Sequence, residues 1–256
     1  MVKGAATQDA QFLLGVGGQK CGTTWIYSQL MRQPWFAHGD RKEYRVFDQA
    51  NPNLEMYACA FRQHLEQQPN TSVCADITPA YALLEANNLK SLRLALEAHQ
   101  FQVRALFVMR DPLERIWSQV RMHRAKGAAI DQDPYQSDQH GIEDMFRRRY
   151  VAKRTRYSFT VQQLEQVFHP KDLQLIIYEQ MFNEDFSTRL SEWLGKPFEP
   201  LQLKERIHST PKREELTNAI QSEVVNHYRD VYAWAEKRFG THIRKLWNGY
   251  KWLSES

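Results

Sequence analysis

Short apolar runs alternate along this chain with longer stretches whose apolar residues recur every three or four positions. The runs are Phe12–Val16, Arg45–Phe47, Val73–Asp76, Val103–Met109 and Leu173–Tyr178, and each reads as a strand. Helical periodicity spans Thr23–Met31, Leu54–Gln67, Leu89–Ala98, Pro112–Lys126, Thr160–Phe168 and Phe186–Leu194. Such alternation predicts an α/β fold with a parallel sheet covered on both faces. Ligands of these folds bind beyond the carboxyl ends of the strands. The tail differs. Leu216, Ile220, Val224, Tyr228, Val231 and Ala235 follow helical steps, which predicts one amphipathic helix over Glu214–Phe239. Its stripe reads as a core face, with a homodimer interface as the alternative.

The first run leads into Gly15-Val-Gly-Gly-Gln-Lys20-Cys-Gly-Thr-Thr-Trp25. Strand, glycine turn and helix start together make an anion site, because backbone N–H groups point outward and the helix dipole favours negative charge. The nucleoside triphosphate loop reads G-x-x-x-x-G-K-[ST]. Gly17 and Gly22 keep that spacing, but Thr23 stands where the lysine belongs. The lysine, Lys20, lies two residues before the second glycine. The dinucleotide pattern G-x-G-x-x-G also fails at position 20. The loop thus keeps a phosphate cradle with its cation displaced.

A second motif follows the run Val103–Met109: Arg110-Asp-Pro-Leu-Glu-Arg115-Ile-Trp-Ser118. Pro112 suits the first turn of a helix and Asp111 can cap it. Arg110 sits at the helix mouth and Ser118 two turns further on. An arginine fork with a hydroxyl suits a terminal phosphate. A plain ion pair of Arg110 with Asp111 or Glu114 is the simpler alternative.

Length and composition narrow the classes. A chain of 256 residues accommodates one large α/β domain, and no boundary is marked. The expectation is a single domain over 1–256, with a C-terminal helical segment from about residue 213. The polar stretch Gly127–Gly141 reads as a lid or substrate loop. Seven tryptophans favour a globular enzyme, and a net charge of +4 fits an anionic ligand without demanding nucleic acid. Cys21, Cys59 and Cys74 form neither an even set nor a metal pattern, which suggests a reducing compartment. No histidine pairing signals a metal. Residues 1–11 hold no long apolar stretch, so the expectation is a cytoplasmic protein without a membrane anchor.

Taken together, the two motifs resemble the sulfotransferases that use 3′-phosphoadenylyl sulfate. Lys20-Cys21-Gly22-Thr23-Thr24-Trp25 resembles that family's loop for the 5′-phosphosulfate, and Arg110-Asp-Pro-x-x-Arg-x-x-Ser118 its 3′-phosphate motif. The likeness runs from residue 12 to roughly residue 200. It implies a P-loop-type three-layer sandwich, with Lys20 through Trp25, Arg110 and Ser118 on the cofactor. Two weaker likenesses add Tyr157, which precedes a helix, and the basic pair Lys212 and Arg213, where the family's glycine is missing.

The segment Arg41-Lys-Glu43-Tyr-Arg-Val-Phe47-Asp resembles the heparan-sulfate-type branch, whose glutamate is the general base. That likeness makes Glu43 the base and Lys20 the group that stabilises the leaving phosphate. A strand-edge ion pair is the alternative for Glu43. Asp76-Ile-Thr-Pro-Ala-Tyr81 resembles the branch's E-K-[ST]-P-x-Y, but Ile77 replaces the lysine, and Arg45 stands where a histidine is common. The acceptor is therefore not assumed to be heparan sulfate; it is a small molecule or carbohydrate. The basic run Arg147–Arg156 raises an acidic acceptor, against a plain solvated helix face. His38 and His123 are minor base candidates. A P-loop kinase or other nucleoside triphosphatase shares the fold but needs a lysine at position 23. A non-catalytic nucleotide-binding module would not need both Lys20 and Glu43.

Overall fold

A computed structural model describes residues 10–254 apart from 130, 131, 206, 208 and 209. In chain order the elements are β1 (Ala10–Gly15), α1 (Thr23–Leu30), α2 (Leu54–Gln67), β2 (Val73–Ile77), α3 (Ala86–Ala98), β3 (Phe101–Met109), α4 (Pro112–Ala128), α5 (Asp138–Met145), α6 (Arg149–Thr155), α7 (Tyr157–Val167), β4 (Leu173–Ile177), α8 (Glu184–Leu194), α9 (Asn218–His227), α10 (Arg229–Phe239) and α11 (Ile243–Leu246). The strands form one parallel sheet in the order β2-β1-β3-β4.

Both faces of the sheet are covered. Phe12, Leu14, Val103 and Phe107 pack toward α2, α3 and α7 on one side. Leu13, Ala75, Leu106 and Val108 pack toward α1 and α8 on the other. β1 and β2 are buried at every residue, as strands covered on both faces must be. The chain leaves β1 in opposite directions toward β2 and β3. The gap between the carboxyl ends of β1 and β3 is therefore the topological switch point.

Four of the five predicted strands form. Arg45–Phe47 does not: Val46–Asp48 is a single tight turn. Arg45 has φ 52°, which no strand residue adopts. The amides of Arg45 and Val46 donate to Thr78 Oγ1 at 3.4 Å and Tyr81 Oη at 3.0 Å instead of joining a ladder. The predicted C-terminal helix is two helices, broken at Tyr228 (φ −107°, ψ 23°), and residues 214–217 precede the first of them. Its stripe is a core face nonetheless, since Ile220, Val224, Tyr228, Val231 and Ala235 are buried.

The stretch Gly127–Gly141 is less irregular than its composition suggests. α4 runs to Ala128, and Ser137 caps α5 by accepting from the His140 amide at 3.0 Å. Arg124 ties its described part down through Asp133 (3.1 Å), Asp138 (2.7 Å) and Glu214 (2.5 Å). Asp131, part of that predicted loop, lies outside the described residues. The basic run forms the short helix α6, with Val151 and Thr155 buried and Arg149 and Lys153 exposed. Among the described residues no helix is long and apolar enough to cross a membrane.

Candidate active site

The glycine loop lies at the switch point and is held to β3 by its backbone. Val16 donates to Leu106 O at 2.9 Å, Gly18 to Val108 O at 2.7 Å, and Val108 back to Gly17 O at 3.0 Å. Gly22 has φ 80°, and a Cβ there would lie 2.8 Å from the Tyr178 ring. Only glycine meets both conditions. α1 follows at once. Its bond ladder starts at Trp25 and Ile26, which both donate to Gly22 O. The amides of Thr23 and Thr24 are thus among those a helix cannot satisfy internally. Thr23 is buried, and Thr24 is half-buried at the loop's end.

Lys20 (φ 64°) is half-buried in this loop. Burial, then the like charges of Arg110, Arg121 and Lys126, pull its amine down to about 8. The flanking residues of the motif are supports. Cys21 is fully buried, and burial pushes its thiol up to about 12, so it stays protonated and is no nucleophile. Trp25 is 3% exposed and packs edge-on to Phe182 with centroids 5.0 Å apart.

Arg110 leaves the end of β3 and donates to Lys20 O at 3.3 Å, which joins the two motifs. Its guanidinium also pairs with Glu114 (3.3 Å) and lies 4.3 Å from the Tyr178 ring centroid. The simpler ion pair is present, with Glu114 as partner, and the guanidinium also flanks the loop. Asp111 caps α4 by accepting from Leu113 N at 3.0 Å. Ser118 is buried on the α4 face that carries Glu114. Lys212 reaches that face from the C-terminal region. Its ammonium lies 2.5 Å from Glu114 Oε1 and 4.1 Å from the Trp117 ring centroid. Arg213 is exposed beside it, while His208 and Ser209 of the same basic loop lie outside the described residues. Arg121, one turn beyond Ser118, is 8% exposed, and its Nε and Nη1 have no hydrogen-bond partner among the described residues.

Tyr157 does not open onto this surface. It is 1% exposed, and its hydroxyl donates to Arg110 O at 2.7 Å. Its place is beneath Arg110, holding the strand end. Sequence reading misses four other supports, Glu179, Trp247, Tyr232 and Gly249. Glu179, after β4, accepts from the Asp111 amide at 3.2 Å and from Trp247 Nε1 at 3.1 Å. Burial raises its carboxyl to about 7. Asp111 accepts from Tyr232 Oη and Gly249 N, both at 2.6 Å. The C-terminal helices thus grip the second motif from below. The position of Tyr178 and Glu179 just past a strand's carboxyl end is the one signal that could have found them.

Glu43 stands at the same edge of the sheet, beyond β2. Lys42 O accepts from Ile77 N at 2.9 Å, and Tyr44 N donates to Asp76 Oδ1 at 3.2 Å. Asp76 is fully buried and also accepts from Tyr57 Oη (2.8 Å), Tyr81 Oη (2.8 Å) and Thr78 Oγ1 (2.6 Å). This hub fixes the backbone on either side of Glu43. Its carboxylate pairs with Lys42 at 2.8 Å and Arg45 at 3.0 Å. Burial pushes its pKa up, but the bonds and charges of Lys42 and Arg45 outweigh that and hold it below the ordinary value. Among the described residues no hydrogen bond or ion pair joins Glu43 to Lys20. Ile77 is buried against Gly15, where a Cβ would lie 2.6 Å from its Cγ2. A cation at that position would point into the core, so Lys42 and Arg45 are the cations Glu43 has.

His38 is exposed and lies 3.0 Å from Met31 O. His123 is held below its usual pKa by burial and then by Lys126, Lys20 and Arg148.

A parallel α/β sheet with a displaced-lysine anion loop and an arginine–serine motif on neighbouring strands defines a class, and the sequence match agrees. The family model described as the sulfotransferase domain matches residues 10–245, and the chain belongs to that family. Its fold is similar to that of a sulfotransferase from Alicyclobacillus acidocaldarius, at TM-score 0.60 and 16% identity, covering 91% of this chain and 96% of that one. It is also similar to mouse sulfotransferase SULT7A1 complexed with PAP, at TM-score 0.50 and 11% identity, covering 96% and 89%. No curated protein sequence matches significantly.

Proposed function

We propose that this chain moves a sulfuryl group from 3′-phosphoadenylyl sulfate to an acceptor hydroxyl, with Glu43 as base in the manner of the glutamate-base branch. The observation that carries this reading is electrostatic. Burial, and then the like charges of Arg110, Arg121 and Lys126, bring Lys20 down to about 8. A site of this charge is incomplete without a polyanion. The unpartnered Nε atoms of Arg110 and Arg121 suit the same ligand.

The donor supplies an activated sulfuryl group with a 3′-phosphate as handle. The amides of Thr23 and Thr24 at the α1 N-terminus hold the 5′-phosphate. Arg110, Ser118 and Lys212 hold the 3′-phosphate, for which Glu114 is the internal substitute partner of both cations. Lys20 offsets the charge that grows on the 5′-phosphate as the bridging bond breaks. Glu43 accepts the acceptor's proton as the new sulfur–oxygen bond forms. Because Lys42 and Arg45 keep its pKa low, it takes that proton late. A hydroxyl suits this site better than an amine, since an alkylammonium would be repelled by Lys20 and its neighbours. The proposed acceptor is a small molecule or carbohydrate.

Radiolabelled donor incubated with a panel of hydroxyl acceptors tests the reading. Label should move to at least one acceptor and fall sharply in Lys20→Ala. Transfer unaffected by Lys20→Ala would end the reading.

A further inference from the structure

The motif R-D-P-x-x-R-x-x-S stops at Ser118, yet the face of α4 that carries it continues. Glu114, Ser118 and Arg121 follow at steps of four and three, so they lie on one stripe of the helix. Arg121 is a charged group at 8% exposure whose Nε and Nη1 meet no acceptor among the described residues. Buried guanidinium donors are normally paired. The nearby carboxylates are already in use. Asp138 accepts from Arg124 and from Trp117 Nε1, each at 2.7 Å. Glu114 is held by Arg110 and Lys212. The Trp117 ring keeps Arg121 in place, with its Cζ 5.2 Å from the ring centroid. Lys212 lies 4.1 Å from that same ring. Three cations thus converge on the Ser118 face with one carboxylate shared between two of them.

We propose that Arg121 is a third cationic ligand of the terminal phosphate, binding it together with Arg110 and Ser118 and so selecting 3′-phosphorylated nucleotides. This rests on the function proposed above. A phosphate offers enough oxygens for all three cations, and its charge compensates a guanidinium for which no carboxylate partner is found among the described residues. The same guanidinium could instead receive an acid group of the acceptor, and the test separates the two sources.

Affinities for adenosine 3′,5′-bisphosphate and adenosine 5′-phosphate are measured by calorimetry on the wild-type chain, Arg121→Gln and Arg121→Lys. Arg121→Gln should weaken the bisphosphate about ten- to a hundredfold, the usual range for a charge-assisted pair, and leave the monophosphate nearly unchanged. Arg121→Lys should recover part of the loss, and it serves as the test if the glutamine variant does not fold. Equal losses for both nucleotides, or none, overturn the inference. Unchanged nucleotide binding with lost transfer to acidic acceptors assigns Arg121 to the acceptor and also overturns it. If the wild type itself does not prefer the bisphosphate, the functional reading falls as well. If the wild type prefers it and Arg121→Gln keeps that preference, only this inference falls.

Discussion

The low pKa of Lys20 makes cofactor binding a proton-linked event. The free protein holds this amine at about 8, because burial and then Arg110, Arg121 and Lys126 oppose its charge, with only Cys21 acting the other way. A bound bisphosphate adds negative charge beside it and should lift the pKa back toward the ordinary value near 10.4. Only the protonated amine pairs with the nucleotide. With a free pKa of about 8, the protonated fraction falls from about nine-tenths at pH 7 to about one-tenth at pH 9. Affinity for adenosine 3′,5′-bisphosphate should therefore fall about tenfold between those pH values. Among the neighbours, Glu179, raised to about 7 by burial, titrates at the lower edge of this window. The Cys21 thiol is pushed up to about 12 by burial, and His123 is held below its usual pKa, chiefly by burial. Calorimetry in buffers of different ionisation enthalpy should also record proton uptake on binding. Lys20→Arg should bind with little pH dependence, because its charge persists across the range. A flat affinity profile in the wild type, or the same slope in Lys20→Met, would rule out proton linkage through Lys20. The unliganded fold should respond in the opposite direction. Between about 8 and the unfolded value the native state loses this proton first, so the penalty of the buried charge is relieved and stability rises with pH.

Three further outcomes follow from the packing around the site. Glu43→Gln should lower turnover at least about a hundredfold, the usual scale of a lost general base, while bisphosphate affinity stays near wild type; retention of full turnover moves the base elsewhere. Asp76→Ala should cost about 3–5 kcal/mol in urea unfolding, since four donors lose a buried carboxylate at once; a loss under about 1 kcal/mol would show that the hub carries little. Gly249→Ala places a Cβ 2.0 Å from the Tyr232 hydroxyl that donates to Asp111. It should destabilise the fold by about 1–3 kcal/mol and weaken bisphosphate binding; unchanged affinity would show that the C-terminal helices do not position Arg110.

Much of the fold was legible because its strands are buried on both faces. Continuous apolar runs of strand length announce that situation directly, and β1 to β4 follow them within a few residues. The run at Arg45–Phe47 misled because pairing is not visible in composition. Its amides have side-chain acceptors waiting in Thr78 and Tyr81, residues more than thirty positions away. The break at Tyr228 was invisible for a different reason. It turns the helix without moving the apolar stripe off the core, so the periodicity continues through it. α5 escaped because its polar approach resembles a loop, although Ser137 is a good helix-starting residue.

The site divides in the same way. Lys20 and Arg110 stood out because their spacing carries chemistry that a loop or strand end does not otherwise need. Tyr157 sits beside them in space but faces inward, since its hydroxyl donates to Arg110 O beneath the strand end. Glu179, Tyr232, Trp247 and Gly249 were unreadable because each acts at long range on a backbone or carboxylate that the motif already contains. Arg121 shows the limit of reading motifs alone. On the sequence it is one arginine among several, and only its burial, with Nε and Nη1 unpaired among the described residues, sets it apart.

On the proposed function, the displaced lysine and the arginine–serine motif together select a 3′-phosphorylated adenine nucleotide. Thermal unfolding with adenosine 3′,5′-bisphosphate, adenosine 5′-phosphate or magnesium ATP tests it most directly. At a hundred times the dissociation constant a ligand adds about 2.7 kcal/mol of stability, or roughly 5–10 °C for a chain of this size. The bisphosphate should give that shift at the lowest concentration of the three. A larger shift with magnesium ATP at equal concentration would contradict the account.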